Sequence, residues 1–238
     1  MAPKILFVPG TWEGPSVYEP ISTLLNEKYG LLSETAKLLS TSTLSPGNPT
    51  LKDDVGGIRT HIERLVSENE EILLVLHSAG AFLGSEAMQG FSKKERELGG
   101  QKGGITGIVF IAGAVFPEGH QHQPLPFARV EVEFLSYLIQ PEVSFFNDFS
   151  DDEREKWMKV LEPQPAYGWD DVISYTGWKD VPSVYLVCEK DQILPVPLQE
   201  QLAALAGSRV ERVDAGHLAQ LSKPERVAEV IKDAVGSF

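Results

Sequence analysis

Along the chain, short runs that are apolar at every position alternate with longer stretches whose apolar residues return every three or four positions. Lys4-Ile5-Leu6-Phe7-Val8 stops at Pro9-Gly10 and reads as a buried strand. Ile72 to Leu76, Ile105 to Ile111 and Ser183 to Val187 have the same character, and Ala36 to Leu39 and Arg209 to Val213 complete a set of six. Between them, Tyr18, Ile21, Leu24 and Leu25 share a helical face within Ser16 to Tyr29, and Val55, Ile58, Ile62, Leu65 and Val66 repeat that spacing. Ser78 to Met88, Leu198 to Leu205 and Pro224 to Val235 read as further helices. Strands apolar on both faces, alternating with helices, predict an α/β fold: a parallel six-stranded sheet with helices on both faces.

Three stretches break the rhythm. The Ser/Thr/Pro/Gly-rich run ending near Thr50, and Ser92 to Gly104 with Lys93-Lys94 and its Gly-Gly pairs, read as exposed loops. From Phe116 to Lys179 no apolar run resembles a central strand. Aromatics gather there instead, among them Phe127, Phe134, Phe145, Phe146, Trp157, Tyr167 and Trp169. Ser150 followed by Glu153 forms a capping box that starts a helix running to about Leu161. The expected division is a core of residues 1–115 and 180–238, with 116–179 inserted as a small, mostly helical cap over the carboxyl edge of the sheet.

At 238 residues, this organisation suits one domain with an insertion. The net charge of −13 argues against nucleic acid or an anionic membrane as partner, which leaves a small molecule. No apolar run is long enough for a membrane span or a signal-peptide core. The lone Cys188 rules out an internal disulfide framework and a cysteine-rich zinc site, so a cytoplasmic protein is expected. The oligomeric state stays open, with a homodimer compatible.

Chemistry concentrates at Val75-Leu76-His77-Ser78-Ala79-Gly80-Ala81, where a strand turns sharply into a helix. Such a turn projects the Ser78 hydroxyl past the sheet edge and aims the first helical N–H groups at the same space. A helix-capping serine is the plainer alternative. Gly80, Ala81 and Gly84 supply the small residues that strand and helix need, but Leu76 fills a position that is usually small. It is expected to point away from the crowded side of the turn. A serine nucleophile needs a base and an orienting acid. His217 follows the last strand, and both Asp191 and Glu189 lie in the loop after Val187, with Asp191 preferred because it sits further out. The backbone N–H groups of Ala79 and Thr11 are the expected oxyanion donors. Trp12, His77, Phe116 and Phe146 are assigned to the substrate pocket, Trp12 on its acyl side and His77 alternatively to packing. His120 and His122 read as loop residues rather than metal ligands, and Cys188 as packing. No metal or cofactor is expected.

With these elements placed, the sequence resembles the α/β-hydrolase superfamily over essentially its whole length, in particular its compact fungal and bacterial esterases. The resemblance rests on Val8-Pro9-Gly10, the elbow from Val75 to Gly80, Phe145-Phe146-Asn147-Asp148 and Ala215-Gly216-His217. It is also similar to the plant methyl-esterase and hydroxynitrile-lyase branch. This likeness implies Ser78, Asp191 and His217 as nucleophile, acid and base. Leu218 stands where the lyases carry a cyanide-binding lysine, so cyanohydrin cleavage is not implied. The expected activity is hydrolysis of a carboxylic ester or lactone of a small apolar or aromatic molecule through an acyl-enzyme. The rivals are a non-hydrolytic tailoring reaction (lyase, cyclase or thioester release) and a slow-turnover receptor.

Overall fold

A computed structural model describes residues 2–43, 49–131 and 135–238. Part of the run before Thr50, and Phe134, lie outside the described residues. In chain order the strands are β1 (Lys4–Val8), β2 (Ser33–Thr35), β3 (Glu71–His77), β4 (Gly104–Ile111), β5 (Ala128–Val130), β6 (Leu135–Leu138), β7 (Gln164–Pro165), β8 (Ser183–Cys188) and β9 (Arg209–Val213). The helices are α1 (Glu19–Tyr29), α2 (Leu51–Ser67), α3 (Gly80–Ala87), α4 (Lys93–Leu98), α5 (Pro141–Ser144), α6 (Asp151–Met158), α7 (Val196–Ala206), α8 (Ala219–Ser222) and α9 (Pro224–Val235).

Six strands form the expected parallel sheet, in the order β2-β1-β3-β4-β8-β9. The two-residue period of a strand splits its apolar side chains between two cores. Leu6, Val8, Leu74, Leu76, Phe110 and Tyr185 pack with residues of α2, α3 and α7. Ile5, Phe7, Leu73, Val75, Val109 and Leu186 pack with residues of α1 and α9. The strand order reverses between β1 and β3, so helices leave these strands toward opposite faces. A crevice opens there at the carboxyl ends, the usual place for a ligand in such a sheet.

Three expectations are corrected. The second strand is Ser33–Thr35, paired Ile5↔Ser33 through Phe7↔Thr35, and not Ala36–Leu39. At the edge of the sheet a half-exposed polar strand suffices, while Ala36 and Leu38 are buried in the core beside α2. The stretch Ser92 to Gly104 is not all loop: Ser92 accepts the Glu95 N–H and starts α4. Residues 116–179 are not mostly helical. The described residues among them hold a three-stranded antiparallel sheet, β5-β6-β7, and as helix only the short α5 and α6 and a 3-10 turn at Gly177–Lys179. Among the described residues no helix is long and apolar enough to cross a membrane.

Candidate active site

β3 ends at His77 and α3 begins at Gly80, with Ser78 between them at φ 49°. A non-glycine residue there costs about 1–3 kcal/mol and persists only when its surroundings hold it. The Ser78 N–H donates to the Ile111 carbonyl at 3.3 Å, and the Ser78 carbonyl accepts from Ala81 and Ala114 at 3.1 and 2.9 Å. The loop after β1 lies against the same turn. A Cβ on Gly10 would stand 2.8 Å from the Ser78 Cβ, and one on Gly80 would collide with the Val8 carbonyl. Leu76 does not point away from the crowded side as expected. It packs beneath α3 in the space left by Gly84, where a Cβ would stand 2.6 Å from a Leu76 methyl. A glycine one helical turn along thus accommodates the large residue on the strand.

His217 sits in the loop after β9, fully buried, and its Nδ1–H donates to Asp191 Oδ2 at 2.7 Å. Asp191 Oδ1 accepts the N–H groups of Ile193 and Leu194 at 2.7 and 3.0 Å, which fixes the carboxylate. A carboxylate on Nδ1 puts the ring proton there and leaves Nε2 as the basic nitrogen. Nε2 is buried and has no hydrogen-bond partner among the described residues, Ser78 included. Glu189, the alternative acid, instead faces Arg212 at the surface, at 3.6 Å. Neither the Thr11 nor the Ala79 N–H is engaged by another described main-chain group.

Trp12 holds φ 64° and its indole N–H donates to the Ser136 carbonyl at 3.0 Å, tying the loop after β1 to β6. Next to it lies a cavity of about 440 Å³. Thr11 and Trp12 form one wall, and residues between His122 and Asp170 form all the others, among them Leu125, Gln164, Tyr167 and Trp169. Among the described residues no lysine or arginine lines it. Burial, together with the charge of His120, pushes His122 down to about 4, so this wall carries a neutral imidazole.

Of the four residues assigned to the pocket, the structure places only Trp12 on this cavity. Phe146 is buried among Trp12, Phe145, Phe149 and Leu218. Phe116 stacks on His120 with ring centroids 4.0 Å apart. His77 is fully buried: its Nε2–H donates to the His217 carbonyl at 2.9 Å, and Nδ1 lies 2.8 and 3.1 Å from the two Glu13 oxygens. Its ring therefore has no nitrogen left for a ligand. Sequence reasoning missed Glu13, and it quoted Asn147 and Asp148 only as part of a family motif, without the bonds they make at the loops of Asp191 and His217. Asn147 Nδ2 donates to the Lys190 carbonyl at 2.9 Å, and Asp148 Oδ2 accepts the Gly216 N–H at 2.8 Å. Isolated acids and amides in loops give no periodic signal by which to find them. Among the described residues no group of three His, Cys, Asp or Glu side chains is placed to hold a metal. Burial raises the Cys188 thiol well above its usual range, in keeping with packing.

A model of the family described as the alpha/beta hydrolase family matches residues 5–230. The alpha/beta hydrolase nvfD of Aspergillus novofumigatus is 26% identical over 251 residues, covering 99% of this chain and 98% of its own. Norfluorocurarine synthase 1 of Strychnos nux-vomica is 24% identical over 203 residues, with 71% and 70% covered. The crystal structure of the methylesterase MES16 from Arabidopsis superposes with a TM-score of 0.76 at 18% identity, over 99% of this chain and 100% of that one, a likeness of fold.

Proposed function

The chain belongs to the alpha/beta hydrolase family, and on that footing we propose that it is a serine hydrolase cleaving a carboxylic ester or lactone of a small, neutral, apolar or aromatic molecule. One observation carries the reading. A serine held at positive φ directly follows His77, whose ring centroid lies 4.7 Å from that of His217, and His217 is buried on Asp191 with an Nε2 that has no partner among the described residues.

Ser78 attacks the acyl carbon while His217 Nε2 takes its proton, and Asp191 stabilises the imidazolium that forms. The Ala79 and Thr11 N–H groups receive the developing oxyanion. Collapse expels the alcohol, which takes the proton from His217, and water then cleaves the acyl-serine by the same relay. Segment 116–179 acts as a cap and, among the described residues, supplies the cavity walls other than Thr11 and Trp12. The apolar lining, and the absence of lysine and arginine among its described residues, favour an uncharged substrate over a carboxylate or phosphate.

The test is the intact mass of the protein after exposure to a small fluorophosphonate, with p-nitrophenyl ester turnover measured alongside. The expected result is one adduct and ester turnover on the wild type, both lost in Ser78→Ala and His217→Ala. An adduct that survives Ser78→Ala, or no adduct on the wild type, overturns the mechanism. The synthase-named relative supports a second reading, a non-hydrolytic reaction at the same serine. Its signature is an adduct on Ser78 without turnover of any simple ester.

A further inference from the structure

Glu13 lies in the loop after β1 and is buried, as is every group it meets. Its carboxylate accepts the Tyr18 hydroxyl at 2.9 Å and the Gly10 N–H at 3.4 Å, and faces His77 Nδ1. His77 in turn donates Nε2–H to the carbonyl of His217. Three segments that the proposed reaction needs in register are therefore linked through Glu13 and His77. Gly10 precedes Thr11, the expected oxyanion donor; His77 precedes Ser78; and the His217 carbonyl belongs to the residue expected to act as base.

The proton count makes this junction specific. A carbonyl oxygen only accepts, so the hydrogen between His77 and His217 must sit on Nε2. Nδ1 faces a carboxylate, so it too carries a hydrogen whenever Glu13 is ionised. Burial alone would discharge His77. The Glu13 carboxylate, the bond to the His217 carbonyl and the more distant Asp191 charge together outweigh it and leave the imidazole with a raised pKa. The other titratable groups here are Tyr18, whose phenol is raised well above its usual range by burial and by Glu13, and His217, whose ring centroid is 4.7 Å away.

We infer that Glu13 is a positioning residue for this site: through an imidazolium on His77 it fixes the main chain of His217 relative to the oxyanion loop and the serine turn. The inference rests on the hydrolase reading for its kinetic consequence but not for its geometric one, and the test separates the two. Glu13→Ala removes the junction. Glu13→Gln can keep it, since an amide can accept from Tyr18 and Gly10 and donate to a neutral His77 Nδ1.

Both variants are compared with the wild type well below their melting temperatures, so that rates refer to folded protein. Fluorophosphonate labelling of Ser78 and kcat for a p-nitrophenyl ester are expected to fall about 100-fold in Glu13→Ala with KM little changed, the size of effect a misplaced catalytic group produces. Glu13→Gln restores most of that loss. Nitrogen NMR is expected to find both His77 ring nitrogens protonated in the wild type at neutral pH and only one in Glu13→Gln. The low-field proton between His217 and Asp191 should persist in Glu13→Gln and shift or broaden in Glu13→Ala. A folded Glu13→Ala that labels at the wild-type rate overturns the inference, as does a Glu13→Gln as slow as Glu13→Ala. If the wild type itself never labels, the hydrolase reading fails. The NMR arm then decides alone, and an unchanged His217 proton in Glu13→Ala refutes the role of Glu13.

Discussion

Two histidine–carboxylate pairs lie side by side at the carboxyl edge of the sheet, and by most measures they are alike. In both, the imidazole and carboxylate side chains are fully buried, with Nδ1 hydrogen-bonded to Asp191 Oδ2 at 2.7 Å in one and to Glu13 Oε2 at 3.1 Å in the other. They differ at the far end of the ring. His77 Nε2 ends on a backbone carbonyl, whereas His217 Nε2 is left without a partner among the described residues. Pairing and burial therefore do not single out one histidine; the proposed base is chosen by its unpartnered nitrogen. Stability cannot separate the pairs either, because breaking any buried ion pair from one side costs about 3–5 kcal/mol. Activity can.

The largest expected effect sharpens that contrast. Ser78→Ala and His217→Ala should each lower kcat on the order of 10⁶-fold, and Asp191→Asn about 10⁴-fold, because the asparagine favours the wrong tautomer of His217. Glu189→Gln, at the surface beside Arg212, should leave ester turnover unchanged. Steady-state rates on a p-nitrophenyl ester check all four. If the Glu189 variant collapses while the Asp191 variant does not, the acid has been misassigned.

A third buried carboxylate shows what happens without a histidine. Asp54 faces the single hydroxyl hydrogen of Ser40, whose Oγ stands 2.5 Å from Asp54 Oδ2 and 2.7 Å from Gln164 Oε1. One hydrogen cannot serve both oxygens as they are placed, so a proton on Asp54 completes the chain. Burial raises its pKa from 3.8 to about 6, against the pull of the Ser40 hydrogen bonds. Between those values the folded state binds more protons than the unfolded one, so stability from this group falls as pH rises through about 6. Two units correspond to roughly 3 kcal/mol. Asp54→Asn mimics the protonated acid. It should flatten that part of the stability curve and exceed the wild type above about pH 6, as read from urea unfolding across the window. Parallel curves for the two proteins would show that Asp54 stays ionised in the fold.

How much of this was visible in the sequence follows from which forces act locally. The buried strands and long helices carry their periodicity on their own residues, and five of the six core strands lie where it puts them. The signature Ser-x-x-Glu that reveals α6 at Ser150 and Glu153 also stands at Ser92 and Glu95, but the lysines and glycines around it hid α4. β5, β6 and β7 have two to four residues each and exist by pairing with one another, which no single segment encodes. Ser78, Asp191 and His217 could be named because strand ends deliver loops to one edge. The junction at Glu13 and the cavity walls between His122 and Asp170 could not, since neither sits in a strand-end motif and both depend on side chains that only the folded chain brings together.

The smallest effect concerns the turn itself. Gly84→Ala gains about 1 kcal/mol of helix propensity, but its Cβ meets Leu76, and overpacking a buried site costs about 1–3 kcal/mol. The balance should destabilise the protein by about 1 kcal/mol. With Leu76 already cut to alanine the obstruction is gone, so the same Gly84→Ala change should then stabilise by about 1 kcal/mol. Denaturant unfolding of the four proteins in the cycle measures this reversal of sign. An effect of Gly84→Ala that is the same in both backgrounds would mean that Leu76 is not what the glycine accommodates. The serine turn would then owe its room to Gly10 and Gly80 alone, on the side that faces β1.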